Sequence, residues 1–268
     1  MPGFSEGAPC WADVSLPDLA AGRRFYGQLF GWTFHDQGEA FGHYTMAHSG
    51  GKPAAALMAA VDPAMPTAWG VHFASDDAAA TADRIREAGG QVLFGPDTVG
   101  DSGVMLGALD PGGSFFGVWQ AGSHPGFAVV NEPGAYCWTE NHTKDAAAVD
   151  PFYEAVFGYE AQQIGDGTHF DYKVWSLPGT LPGTPGSQVA GRMQRGGDLP
   201  ADAPAAYQTY FVVDDCDAAA ETVRRLGGQV MHEPHDSPFG RTALVADDQG
   251  AGFAVIDVQR TGDPGPGA

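Results

Sequence analysis

Hydrophobic and polar positions along the chain switch between two periods, and the switch recurs from one stretch to the next. A short apolar run leads to Asp18, an N-cap type. Beyond it Leu19, Phe25, Tyr26 and Leu29 follow a helical period that Gly31 ends. Strand-like runs follow at 44–47 and 54–61, parted by the turn Gly50-Gly51-Lys52-Pro53. From Trp69 the order restarts: a strand at 71–74, a capping Asp76 or Asp77, a helix to Ala88 and Gly89-Gly90 as its stop. Strands at 91–94, 104–109 and 115–119 complete the stretch. Each stretch predicts a βαβββ unit.

The second half of the chain repeats the first. CWADVSLPDLAAGRRFYGQLFGW aligns with CWTENHTKDAAAVDPFYEAVFGY, placing Cys10 on Cys137, Trp11 on Trp138, Asp18 on Asp145, Phe25-Tyr26 on Phe152-Tyr153 and Phe30-Gly31 on Phe157-Gly158. Later, His72-Phe73 falls on Tyr210-Phe211 and Gly89-Gly90-Gln91-Val92 on Gly227-Gly228-Gln229-Val230. The expected organisation is therefore two copies of one domain, at 8–120 and 135–260. Residues 121–134, rich in Gly, Pro and Ser, predict a linker whose Phe127-Ala128-Val129-Val130 packs on a domain. The tail 261–268, with Pro264 and Pro266 among glycines, predicts disorder.

Composition narrows the function. With 43% hydrophobic and 11% aromatic residues the chain is globular, and no apolar run approaches the ~18 residues of a membrane span. Thirty-three acidic against 13 basic residues give a net charge of -20, which repels nucleic acid and anionic membranes and favours a cation. Cys10, Cys137 and Cys216 form no CxxC and cannot all pair, so neither a disulfide framework nor a structural zinc site is indicated. The opening residues Met1 to Glu6 lack the basic stretch and apolar core of a secretory signal, so the expected compartment is the cytoplasm.

Strand-Asp-helix followed by Phe25-Tyr26 and Leu29-Phe30-Gly31-Trp32, with the turn Asp110-Pro111-Gly112-Gly113 before a final strand, resembles the vicinal oxygen chelate superfamily. That superfamily holds glyoxalase I, bleomycin-resistance proteins and extradiol dioxygenases. Asn131-Glu132-Pro133-Gly134 before a second Trp-containing strand looks like the actinobacterial two-domain glyoxalase-like proteins often labelled hydroxylases, a group that includes a mycobacterial culture-filtrate antigen. The resemblance implies an α+β fold, a tandem duplication of a glyoxalase-like domain with four βαβββ units forming two cup-shaped sheets. A ligand would sit in a cup.

The resemblance also implies metal ligands, His, Glu or Gln, on the first and last strands of these units. Counting back from the helix-opening Asp puts Trp11 and Trp138 at the first-strand positions. The corresponding count in the second and fourth units puts Gly70 and Gln208 there. The last strands offer Ala56 or Gly191, and Gly117 or Ala254. Only Gln208 is a donor, and one oxygen cannot hold a transition metal, so no metal and no cofactor is expected. A count shifted by two brings in Asp13 or Glu140 and His72 or Tyr210 instead, at the expense of the Phe-Tyr and Asp registers.

Strand alternation then proposes cavity residues: Trp138, Glu140 and His142 on one face, with Trp11, Asp13 and Ser15 as counterparts, and Gly70 with His72 and Gln208 with Tyr210. Small residues at Gly70, Gly117, Gly191 and Ala254 leave room. Trp11 and Trp138 are either stacking platforms for a flat molecule or simple core. Glu140, His142 and His72 are the acid/base candidates, or else polar packing. His232 and His235 fall in a Pro-flanked loop, HEPHDSPFG, with solvent exposure expected. Two function classes result. One is metal-independent binding of a small, aromatic or cationic organic molecule, in the manner of bleomycin-resistance proteins. The other is a glyoxalase-like lyase, isomerase or oxygenase. The expected partner is a small molecule, and the expected state a monomer or homodimer.

Overall fold

A computed structural model describes residues 3–60, 67–180, 186–196 and 205–261. The end of the 54–61 run and all but the first residue of the 261–268 tail lie outside the described residues. The first two units run β1 (Pro9–Leu16), α1 (Leu19–Phe30), β2 (Thr33–Asp36), β3 (Thr45–Ser49), β4 (Lys52–Ala59), then β5 (Ala68–Ala74), α2 (Ala78–Glu87), β6 (Gln91–Val99), β7 (Gly103–Leu109) and β8 (Phe115–Ala121). The second two run β9 (Tyr136–Thr143), α3 (Ala146–Phe157), β10 (Glu160–Ile164), β11 (Tyr172–Ser176), β12 (Gln188–Gln194), then β13 (Ala206–Val212), α4 (Cys216–Arg225), β14 (Gln229–Ser237), β15 (Gly240–Ala246) and β16 (Gly252–Asp257).

The four helices start by one device. Asp18, Asp77, Asp145 and Asp215 each accept hydrogen bonds from backbone N–H groups of the first turn, which a helix leaves unpaired. Gly31 and Gly158 end α1 and α3 in the left-handed conformation, at φ 69° and 71°, where a side chain is strained. The strands form two eight-stranded sheets with matching order, β2-β3-β4-β1-β5-β8-β7-β6 and β10-β11-β12-β9-β13-β16-β15-β14. The fold is α+β, a tandem duplication of one domain built from two βαβββ units. Two features depart from the expected pattern. β2 and β10 are edge strands that bury almost nothing and so carry no alternating apolar signal. HEPHDSPFG is strand β14 into its turn, paired to β15, because bulges let a Pro-containing segment stay in the ladder.

Backbone proximity divides the chain differently from the sheets. One compact unit gathers Met1–Trp11, Gly70–Gly126 and Trp138–Gln208, the other Ala12–Trp69, Phe127–Cys137 and Thr209–Ala268. At the centre of the first lie Phe73, Phe116, Phe152, Tyr153, Phe157, Trp175 and Tyr207. Tyr153 donates to Asp110 Oδ2 at 3.1 Å, and the same oxygen takes Asn141 Nδ2 at 2.6 Å. In the second, Tyr26 donates to Asp247 Oδ2 at 2.9 Å and accepts from Trp69 Nε1 at 3.0 Å. The Tyr of a Phe-Tyr helix in one half of the sequence thus satisfies the turn Asp that closes the other half, within each compact unit.

The segment after β8 is tied down. Phe127 and Val129 are buried, Phe127 stacks on Tyr136 at 4.8 Å, and Ala128 N–H donates to Pro53 O at 2.9 Å.

Candidate ligand-binding site

On β9, Trp138, Glu140 and His142 face the same way, as alternation requires, and the structure joins them through a residue that the sequence did not single out. Trp138 Nε1 donates to the Tyr172 hydroxyl at 3.2 Å, and that hydroxyl donates to Glu140 Oε1 at 2.8 Å. His142 Nε2 lies 3.1 Å from Glu140 Oε2, so a proton on Nε2 is held by the carboxylate. The Glu140 and His142 side chains are each 14% exposed. Burial, and then the negative charge of Glu140, raise the Tyr172 phenol well above its ordinary pKa, so it stays a neutral donor. Trp138 is half-buried.

Tyr172 fits because β12 presents Gly191 directly across from Glu140. A Cβ at 191 would fall 2.2 Å from the phenol oxygen. The first half carries the same device: Tyr44 donates to Asp13 Oδ2 at 2.9 Å, and Asp13 pairs with Ala56. The available signal was a Tyr recurring 31 residues after Asp13 and 32 after Glu140.

The other candidates are placed as follows. Trp11, 4% exposed, carries His124 edge-on at 4.6 Å, and Trp119 Nε1 donates to the His124 carbonyl at 2.9 Å. Burial, and then the charge of His72, lower the His124 pKa. His72 is buried on β5 opposite Gly117, whose missing Cβ would lie 2.0 Å from His72 Nδ1. The room expected beside Gly117 and Gly191 is thus filled by the protein's own His72 and Tyr172. Gly70 is buried on β5, and Tyr210 pairs with Ala254. Gln208 accepts from Thr139 Oγ1 on its carbonyl at 3.2 Å. Cys10 and Cys137 point their thiols at the carbonyls of His72 and Tyr210, and burial pushes both up, Cys137 to about 12.

Strand register corrects the count of metal positions. Ala56 lies opposite Asp13, Gly117 opposite His72, Gly191 opposite Glu140 and Ala254 opposite Tyr210, not opposite Trp11, Gly70, Trp138 and Gln208. The count shifted by two describes the strands, because parallel pairing aligns backbone and ignores the distance to the next helix. Each strand pair supplies one polar side chain facing a residue with none. Both Glu140 oxygens are already engaged, and Asp13 holds Tyr44. Among the described residues no three side chains of His, Cys, Asp and Glu group to hold a metal ion. A transition metal needs three or four donors, so these residues do not fit one.

Residues 11–118 match the family model of the glyoxalase/bleomycin resistance protein/dioxygenase superfamily, and residues 138–256 that of the glyoxalase-like domain. The chain belongs to this superfamily. It is 35% identical over 263 residues, 94% of this chain and 95% of the other, to "Putative glyoxylase CFP32" of Mycobacterium tuberculosis. It is 36% identical over 277 residues, 97% and 96% of the two chains, to "Anthracycline biosynthesis protein DnrV" of Streptomyces peucetius. The Mn(II)-bound glyoxalase from Novosphingobium aromaticivorans shares the fold, with TM-score 0.62 at 14% identity over 97% of this chain and 89% of that one. No helix among the described residues is long and apolar enough to cross a membrane.

Proposed function

We propose that the chain binds a small planar organic molecule, aromatic or cationic, against Trp138, without a metal. The observation that carries this reading is the state of Trp138: half-buried, with its N–H donated to the Tyr172 hydroxyl, which in turn donates to Glu140. A ring pinned at one edge and partly open stacks on a ligand at little cost in side-chain entropy, and Glu140 adds negative charge beside it for a cation. The name of one relative supports the aromatic class, since anthracyclines are fused-ring aromatics. In this reading the protein is cytoplasmic, a monomer or homodimer, needs no cofactor, and its partner is a small molecule rather than nucleic acid or membrane.

A second reading rests on the Glu140–His142 pair. At 3.1 Å, and shielded from water, it has the geometry of a general base and its orienting partner, which suits a glyoxalase-like lyase or isomerase, or an oxygenase. One experiment separates the two. A panel of planar aromatic compounds and aromatic cations is titrated by calorimetry and assayed for turnover. Binding predicts quenched tryptophan fluorescence and a loss of about 1–3 kcal/mol in Trp138→Ala, the range for removing one aromatic anchor. Turnover by the wild type that Glu140→Gln or His142→Ala abolishes, with affinity retained, replaces the binding reading with the enzymatic one. Unchanged affinity in Trp138→Ala removes Trp138 from the site.

A further inference from the structure

β14 is the last strand of its sheet and carries two bulges, one between Val230 and His232 and one between His232 and His235. In an unbroken strand, residues three apart face opposite sides. The bulge between them re-aims the pair, and the imidazoles of His232 and His235 meet with centroids 4.5 Å apart. Their Nδ1 atoms are 3.1 Å apart. The backbone carbonyl oxygen of Glu233 lies 3.3 Å from one and 3.1 Å from the other. Arg224 takes the Glu233 carboxylate at 2.5 and 2.6 Å, so the carbonyl is what Glu233 turns to the pair.

Three electron-rich atoms face one another here. The carbonyl only accepts, and a neutral imidazole Nδ1 either donates or accepts. A straight N–H···N bond at this separation would hold the ring centroids about 5.4 Å apart. The observed 4.5 Å means that the two nitrogens are not aligned along a straight hydrogen bond. A triangle with these edges is one face of a tetrahedron whose centre lies about 2.0 Å from each corner, the bond length of zinc to nitrogen or oxygen.

We propose that His232 Nδ1, His235 Nδ1 and the Glu233 carbonyl oxygen form an exchangeable surface site for a borderline divalent cation, Zn²⁺ foremost, with water completing the shell. Imidazole donors also suit Ni²⁺ and Cu²⁺. Both histidines are exposed, so solvent competes and the site is a weak one, distinct from the strand positions where the superfamily carries its metal. A bound ion would brace the bulged edge strand. The site is independent of any reading of Trp138.

Calorimetric titration of the untagged chain with zinc chloride tests it. One equivalent is expected to bind, and His232→Ala or His235→Ala should each weaken it about tenfold or more, since even outer-shell changes cost that much. His43→Ala, an exposed histidine paired with Asp36, should leave binding unchanged. Electron paramagnetic resonance of the wild type with substoichiometric Cu²⁺ should show two coordinated imidazole nitrogens, a readout that requires no variant to fold. Full-strength zinc binding in the double His232→Ala/His235→Ala variant, no binding up to millimolar zinc, or fewer than two nitrogens on copper would each overturn the proposal.

Discussion

Tyr172 reaches Glu140, at 2.8 Å, through space that Gly191 leaves open directly across the β9–β12 pair. Tyr44 meets Asp13 in the same way opposite Ala56. In both halves a tyrosine, Tyr172 on β11 and Tyr44 one residue before β3, donates to an acid on the first strand of the unit that pairs with a small residue on the fourth. The pairing holds each carboxylate in a defined orientation. It also uses volume that a list of small residues alone would count as cavity.

Gly191→Ala tests this relationship. Its Cβ would come within 2.2 Å of the Tyr172 oxygen, too close to be absorbed without moving the ring. Destabilisation of about 1–3 kcal/mol is expected, as for overpacking elsewhere. Urea unfolding measures it, and Tyr172→Phe should cost less in the Gly191→Ala background than in the wild type, because the displaced phenol has already lost Glu140.

The buried Tyr–Asp bonds set a second expectation. Tyr153→Phe removes one donor to Asp110, and Tyr26→Phe removes one to Asp247 while leaving Trp69 Nε1 without its acceptor. Each should lower unfolding free energy by about 1.5–3 kcal/mol, the range for a hydrogen bond to a charged group. Loss of less than half that in denaturant titrations would mean the carboxyls find other donors.

The pH dependence follows from Asp110. Burial raises its pKa in the folded chain, outweighing the hydrogen bonds from Ser114, Asn141 and Tyr153 that lower it. A group whose folded pKa is raised contributes stability that is full below the unfolded value, about 4, and lost as pH climbs through the folded value. Relative to Asp110→Asn, which cannot ionise, the wild type should therefore lose stability as pH rises from about 4 toward neutral. Urea midpoints of the two proteins across that window check the sign, and a constant difference between them would contradict it.

The thiols should be silent in the native state. Burial pushes Cys10 up and holds Cys137 and Cys216 at about 12, so almost no thiolate exists near neutral pH. A thiol reagent at mildly alkaline pH is expected to label none of the three until denaturant is added. Mass spectrometry would place any early label.

Repeated local signals made the fold legible. Asp before a helix, Gly after it and Phe-Tyr within it act over a few residues, so they recur wherever the unit recurs, and the capping aspartates and left-handed glycines stand where the repeat predicts. The shared face of Trp138, Glu140 and His142 was legible for the same reason, because strand alternation is local. The edge strands β2 and β10 were not, since strands that bury nothing need no apolar pattern.

Sequence alone determined that the chain is one unit used four times, with carboxylates and tryptophans at repeated first-strand positions. Tertiary structure decided which residues those carboxylates meet. Cross-strand register chose Asp13 over Trp11 as the partner of Ala56, and Glu140 over Trp138 as the partner of Gly191. Long-range packing brought Tyr153 to Asp110 and Tyr26 to Asp247. The bulge between them turned His232 toward His235 against the period of the strand. Periodicity carries the direction of a side chain relative to its own backbone, whereas register, bulges and packing between distant segments are settled by the whole folded chain at once.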